Sequence, residues 1–554
     1  MKQAKARWFL PVLLVIATSL AAQERNSVPL DHAAYDIIEM GVMRGVISPP
    51  PSARPWAEEV VKDKLWEIIN YPAQVLTTRE VNAATLALDS LEREAGLDLG
   101  RGRYRVEGGG FTVEAGLGWE SGFSIEAPGA SIASVNVAKL YAGGDIEDFA
   151  SWNITLLGEF LYIGQGNHNV SPFFPCSYSK QWDGGVLSLR GPGGYSAWPV
   201  DPSLAGGFLA ELNGVFFDQR LHLRLGRVRH DWGPGSNGAS LFINAHARPF
   251  AAIEGTYSPL SWLGVSFLNG ALEYFREDGQ PPGGGPFTNM LSAVQVEFNP
   301  VKYVYFSLGG SAVWFRQVNP AAFSSLELRL PGLLKIWGSL FVDRLGSFSE
   351  NFSVMNSNSY AWQAGFKTVI HWLPFAAFIL RYTKVEPYCY ANTYNGGGGE
   401  SFSSSSAFAS GGESLGYYMP PNSDELLVRM ESRLLPELEA HIQFQMMRRG
   451  ADYGYGRVPG SSLRDTLTDT GSAKYFLKDG VYRWDNVIKL GASCNVKIGA
   501  VPLAAYAEAG VVLTSFTING SAGPGKEAEY ESLDDSVYRA RNGFVFSVGF
   551  RLFP

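Results

Sequence analysis

The run FVFSVGFRLF at residues 544–553 alternates from Phe546 to Leu552. Phe544, Phe546, Val548, Phe550 and Leu552 fall on one side, and Ser547, Gly549 and Arg551 on the other. Successive side chains of a strand point to opposite faces. A period of two therefore predicts a strand with a different solvent on each face. The pattern recurs upstream. AVQVEF (293–298) sets Val294, Val296 and Phe298 against Gln295 and Glu297, and LHLRLG (221–226) sets Leu221, Leu223 and Leu225 against His222 and Arg224. The composition agrees: 63 glycines and 13% aromatics beside only 18% charged residues suit a β-rich chain with one face in lipid.

The connections between these runs decide the class. Short turns are expected at Ser258-Pro259, Asn299-Pro300, Leu330-Pro331, Leu373-Pro374, Leu435-Pro436 and Val501-Pro502, with one lacking proline at Asp218-Gln219. Long polar connections separate the hairpins so formed, at 164–206, 231–248, 276–289, 345–358, 391–424, 450–485 and 517–539, and a short link lies at 317–320. Short turns alternating with long loops mark an outer-membrane barrel, whose short turns face the periplasm. About 18 strands are counted, with 16 as the lower bound, because 108–162 parses less cleanly. A soluble sandwich or propeller would not repeat Phe, Leu and Val so regularly on its exposed faces. The terminal run carries a near-terminal aromatic as barrel-insertion signals do, although Pro554 follows it. The fold class is thus mainly β, a transmembrane antiparallel β-barrel.

The N-terminus reads differently. Lys2, Lys5 and Arg7 precede the apolar WFLPVLLVIA, and small residues follow up to Ala22, the layout of a secretory signal peptide over 1–22. Without it the chain would hold 42 basic against 53 acidic residues. Residues 23–100 form a helical module. Asp31 is placed as an N-cap before Tyr35, Ile38 and Val42, a second helix runs over 56–69, and a third is capped by Thr77 or Thr78 with Val81, Leu86, Leu88 and Leu91 as its apolar positions. This module is expected to pack under the barrel (residues 101–554) as a plug or to dock a periplasmic or envelope partner. No later stretch of about 20 apolar residues could cross a membrane as a helix. The acidic balance and the lack of a Lys/Arg tract argue against nucleic acid. Cys176, Cys389 and Cys494 have no paired spacing and read as isolated thiols.

One loop concentrates polar chemistry: GRVRHDWGPGSNGASLFINAHARP at 226–249. It follows LHLRLG up from the Asp218-Gln219 turn, so it belongs on the long-loop mouth or folded inwards from it. The glycines flanking Pro234 permit a sharp reversal. Trp232 offers a ring for a sugar face, and the arginines and asparagines offer donors to hydroxyls and carboxylates. Strict alternation would aim Arg227 and Arg229 at lipid. A bulge at Gly226 turning them inwards is expected, the alternative being that they stand above the hydrocarbon layer.

These residues resemble the motif of the capsule-assembly outer-membrane proteins of the Wzi family: an Arg-rich strand end, then D-x-W-G-P-G, a small polar stretch and N-A-x-P. Here Asp231 directly precedes Trp232, and His246-Ala247-Arg248-Pro249 extends the second half. YTKVEPYCYANTYN (382–395) and YYMPPNSDELLVRMES (417–432) are similar to later segments of that family. The resemblance implies an 18-stranded barrel that holds surface polysaccharide, with Arg227, Arg229, Asp231, Trp232, Asn237, Asn244, Arg248 and Glu254 as candidate contacts. A porin-type diffusion channel is the alternative function. A metal set from His230, Asp231 and His246 lacks the usual ligand spacing. A glycosidase pair of Asp231 and Glu254 rests only on two carboxylates being present. The expectation is a monomeric, non-enzymatic barrel in outer-membrane lipid, with no metal and no cofactor.

Overall fold

The computed structural model describes residues 26–72, 75–92, 96–98, 103–127, 131–146, 150–163, 203–217, 219–233, 240–273, 287–314, 318–344, 355–356, 358–391, 393–395, 403–410, 413–451, 458–463, 465, 472–473, 476–477, 480–498, 501–519 and 541–552. The signal-peptide reading, Asn237 and Cys176 lie outside them. Eighteen strands close into one antiparallel barrel. They are β1 Phe111–Ala127, β2 Ser131–Ile146, β3 Ala150–Ile163, β4 Ser203–Phe216, β5 Leu221–Val228 and β6 Phe250–Leu260. Next come β7 Leu263–Glu273, β8 Phe287–Val301, β9 Val304–Trp314, β10 Val318–Leu330, β11 Leu334–Arg344 and β12 Ser359–Ile370. The last six are β13 Ala376–Val385, β14 Ser423–Leu435, β15 Leu438–Gly450, β16 Gly480–Ile498, β17 Val501–Asn519 and β18 Arg541–Leu552.

Each strand pairs with its neighbours in the chain, and β18 closes on β1, Leu552 opposite Trp119 and Phe544 opposite Ala127. Arg103–Gly108 pairs with the first residues of β1, on the edge that β18 leaves uncovered below Trp119. A segment from before the barrel thus completes the seam beneath its last strand.

The two faces divide as the alternation requires. In β18, Phe544, Phe546, Val548 and Phe550 are exposed to the outside, whereas Val545 and Ser547 are fully buried within. Leu225, Ile253, Val294, Leu308 and Leu490 continue the exposed apolar wall around the barrel. A belt of that extent is stable only in lipid. Among the described residues no helix is long and apolar enough to span a membrane.

Three prolines expected at turns lie within strands instead. Pro259 and Pro300 lie inside β6 and β8, and the turns come at residues 261–262 and 302–303. Both prolines sit where the pairing slips, between Tyr257 and Leu260 and between Phe298 and Val301. Proline has no N–H for the ladder, so it marks an irregularity near a strand end rather than the reversal itself. Pro502 likewise lies within β17, opposite Lys497.

Three helices form the N-terminal module: α1 Ala34–Met43, α2 Glu58–Ile69 and α3 Thr78–Asp89. Thr77 caps α3 in a capping box: Glu80 donates its N–H to Thr77 Oγ1 (3.3 Å), and Glu80 Oε2 accepts from Thr77 N (2.8 Å). The expected cap at Asp31 does not form. The residue before α1 is Ala33, without a side-chain cap, and the Asp31 carboxylate instead pairs with Arg551 of β18.

The module closes the short-turn end of the barrel. Met43, Ile68 and Leu88 share one apolar core with Val369, Phe375 and Ala377 of the wall. Glu39 reaches Lys335 (2.6 Å) and Lys367 (3.1 Å), and Lys367 also meets Glu431 (3.0 Å). Glu80 accepts from Arg44 (2.9 Å) and from the backbone of Phe375 (3.0 Å). One side chain thereby caps α3, ties it to α1 and fastens both to the barrel.

Candidate functional site at the barrel mouth

The polar loop between β5 and β6 begins at the long-loop end, as its place in the chain requires. Of the two expected placements it takes the inward one, folding into the lumen. Asp231–Trp232 forms a two-residue strand against Ala53–Arg54 of the N-terminal segment, Ala53 opposite Trp232 and Arg54 opposite Asp231. Trp232 N donates to Ile243 O (2.9 Å), which folds the loop back on itself.

Trp232 is 1% exposed. Its ring packs edge-on to Phe242 (5.9 Å), and its Nε1 donates to Glu254 Oε1 (3.2 Å). Glu254 also pairs with Arg224 and has His230 Nδ1 2.8 Å from Oε2. Asp231 is held by Arg54 at 2.8 Å. A charge removed from water is tolerated when paired and hydrogen-bonded, and this set meets that demand.

Asn244 is fully buried: its Nδ2 donates to Ser240 O (2.9 Å), and its Oδ1 accepts from His246 N (3.0 Å). Trp232, Asp231, Asn244 and Glu254 are therefore interior side chains whose contacts shape the loop. The cause is the loop's descent into the lumen, where apolar burial of Leu241, Phe242, Ile243 and Phe250 outweighs exposure of the polar groups beside them.

The arginines divide. β5 pairs with β4 and β6 residue for residue through Gly226, without a bulge. A side chain at Gly226 would meet Ala210 O at 2.4 Å, so glycine is there for close backbone approach. Arg227 consequently shares the outer face with Leu225. Its guanidinium covers the Phe208 ring (5.1 Å) and donates to Phe208 O (2.6 Å) and Glu273 (2.7 Å). The bulge expected to turn this arginine inwards does not form. An outward cation at the upper rim, paired with an acid, avoids the cost of a bare charge in lipid.

Arg229 lies just past β5 and is half-buried. Arg248 sits 3.6 Å from Glu413 and 3.9 Å from Glu273, outside hydrogen-bond range of both. His246 is exposed, with its ring 5.3 Å from that of Tyr418. Of these three only His246 is exposed; the guanidinium groups of Arg229 and Arg248 are partly buried.

A second loop meets the first. Tyr390 donates to Leu241 O (2.7 Å), Asn244 N donates to Leu415 O (2.8 Å), and Phe341, Phe408 and Tyr417 complete the apolar filling. Phe242 stacks on Phe323 of the wall at 3.8 Å. The upper lumen is thus occupied by the protein's own rings. Sequence reasoning missed Arg54, which lies in a proline-rich stretch with no periodic signal, and used Arg224 only as a mark of strand alternation. Among the described residues no group of three or more His, Cys, Asp or Glu side chains could hold a metal.

The fold and this filling define the class: an outer-membrane β-barrel with a self-occupied lumen. No protein family matches the chain, and no curated protein matches it. Solved structures do. The fold is similar to Wzi of Escherichia coli, an outer membrane protein involved in group 1 capsule assembly and described as a carbohydrate-binding β-barrel. The TM-score is 0.56 at 12% identity, over 96% of this chain and 99% of that one. OpdK of Pseudomonas aeruginosa, solved with vanillate, gives 0.42 at 12% identity over 79% and 98%. OprD of the same organism gives 0.41 at 11% over 83% and 99%. At these identities the likeness is one of fold.

Proposed function

We propose that this barrel binds surface polysaccharide at its long-loop mouth and works as an anchor rather than a channel or an enzyme. The observation that carries this is the filled lumen within a fold that follows the carbohydrate-binding Wzi barrel over 96% of the chain. A barrel of 18 strands is wide enough for an aqueous path, yet this one spends its interior on loop side chains and a helical module.

Arg229, Arg248 and His246, with the ring of Tyr418, are the contacts we assign to the glycan. Arginine forks suit the carboxylates and hydroxyls of an acidic polysaccharide, and a half-exposed ring suits a sugar face. Asp231 and Glu254 stay out of any hydrolytic role, because each is committed to a buried ion pair and neither is placed to share a glycosidic oxygen.

The test is retention of acidic and neutral surface polysaccharides on purified protein. Arg248→Ala is expected to weaken retention at least about tenfold, a loss of about 1.4 kcal/mol, without lowering thermal stability. Retention equal to the parent in both Arg248→Ala and Arg229→Ala would sink the assignment. Release of reducing ends on prolonged incubation would replace anchoring with hydrolysis.

A further inference from the structure

The mouth loop is fastened from the far end of the barrel. Residues 26–33 and 44–57, on either side of α1, run along the lumen wall and reach the loop. Ser27 donates through N and Oγ to Glu211 (3.0 and 2.6 Å). Ser52 N donates to Glu297 Oε1 (2.9 Å), and Ser52 Oγ accepts from Gln295 and Tyr305 at 2.9 Å each. Arg224 of the wall donates to Ser27 Oγ (2.8 Å) and Pro55 O (3.1 Å). At the end of this path stands the Ala53–Arg54 strand paired with Asp231–Trp232. Back towards the module, Tyr35 of α1 accepts from Trp56 N (3.1 Å) and donates to Val28 O (2.8 Å).

A two-residue pairing has too few hydrogen bonds to persist alone. What fixes it is Arg54 against Asp231 in a site where Asp231 is 3% exposed. The cation belongs to the arm and the anion to the loop. Withdrawing the arm strips Asp231 of its counter-charge and takes two acceptors from Arg224 at once. A buried carboxylate left so must take up a proton or move out to water. The second loop depends on the first through Leu415–Asn244 and Tyr390–Leu241, so it loosens with it.

We propose that the segments flanking α1, residues 26–33 and 44–57, are a latch: they hold Asp231–Trp232, and through it residues 240–249, inside the lumen, so the helical module at the short-turn end controls whether the mouth is closed. The coupling runs through one contiguous set of pairs and one element with two arrangements, loop in and loop out. It holds whatever ligand the mouth takes, and it makes closure a switchable property of the barrel.

The test is planar-bilayer conductance of the full-length protein, with folding checked by heat-modifiable migration. The parent is expected to show rare openings. Arg54→Asp places two carboxylates together and is expected to raise the open fraction at least tenfold. The double variant Arg54→Asp with Asp231→Arg restores the pair with its charges exchanged and is expected to return the barrel to parental closure. Arg54→Gln serves as the milder probe if the charge reversal does not insert, with openings expected between parent and reversal. Parental quiet in Arg54→Gln and Arg54→Asp would overturn the latch. A double variant as open as the single reversal would overturn it too, because opening would then not depend on the pair.

Discussion

At the short-turn end the lumen is closed by the apolar core that the module shares with the wall and by charges set around it. Glu39 spans Lys335 and Lys367, Glu80 joins Arg44 to Phe375, and Asp31 meets Arg551. At the long-loop end it is closed by rings, with Phe242 stacked on Phe323 and set against Phe341 and Phe408. The two closures solve different problems. The module is a separate body that must seat in one register, and directional ion pairs specify register better than apolar contact does. The mouth loops are tethered at both ends by strands, so non-directional burial suffices to pull them in. Arg54–Asp231 is where the two closures are joined.

Breaking the charged end should cost most. Glu80→Ala removes a cap, leaves Arg44 buried without its acid and frees the Phe375 N–H; a loss of about 3–5 kcal/mol in docking of the module is expected. Protease sensitivity of residues 26–92 against urea concentration measures it, and a parental midpoint would contradict the seating described. The aromatic end should respond less but in its own place. Phe242→Ala empties the centre of the mouth filling at about 3 kcal/mol, read as earlier thermal loss of aromatic near-UV circular dichroism while the module stays protease-resistant. Simultaneous loss at both ends would show one closure rather than two.

Acid and base should distinguish the ends as well. Asp36 of α1 has its pKa raised from 3.8 to about 7 by burial and by Glu439 and Glu431 of the wall, against Lys367 and Arg433. A carboxyl raised in the folded state contributes stability that is complete below its unfolded value. That contribution fades as pH rises through the folded one. Docking should therefore weaken between about pH 4 and pH 7 at the module and not at the rings. Asp36→Asn should flatten that dependence; an unchanged profile would remove Asp36 as its cause. Arg248→Ala should change stability least, within about 0.5 kcal/mol, since its acids lie beyond hydrogen-bond range.

The strand alternation of Phe544 to Leu552 was legible because it is a local consequence of which face meets lipid. The same logic located the loop at 229–249 and aimed Arg227 outwards; the expected bulge only obscured it. The interior fate of Trp232 and Asn244 was not legible. A tryptophan beside arginines and asparagines reads the same whether its ring meets a sugar or Phe242, since the difference lies in which distant residues arrive beside it.

By itself the sequence determined a lipid-facing barrel of 18 strands with a helical module before it, and the end at which each loop emerges. These depend on periodicity and turn chemistry within a few residues. Only the tertiary structure decided that the mouth loop turns inwards, that Glu80 serves helix cap and barrel together, and that Arg54 meets Asp231. Such pairings are set by closure of the whole barrel, which brings together side chains far apart in the chain and leaves no periodic trace of the contact in either segment.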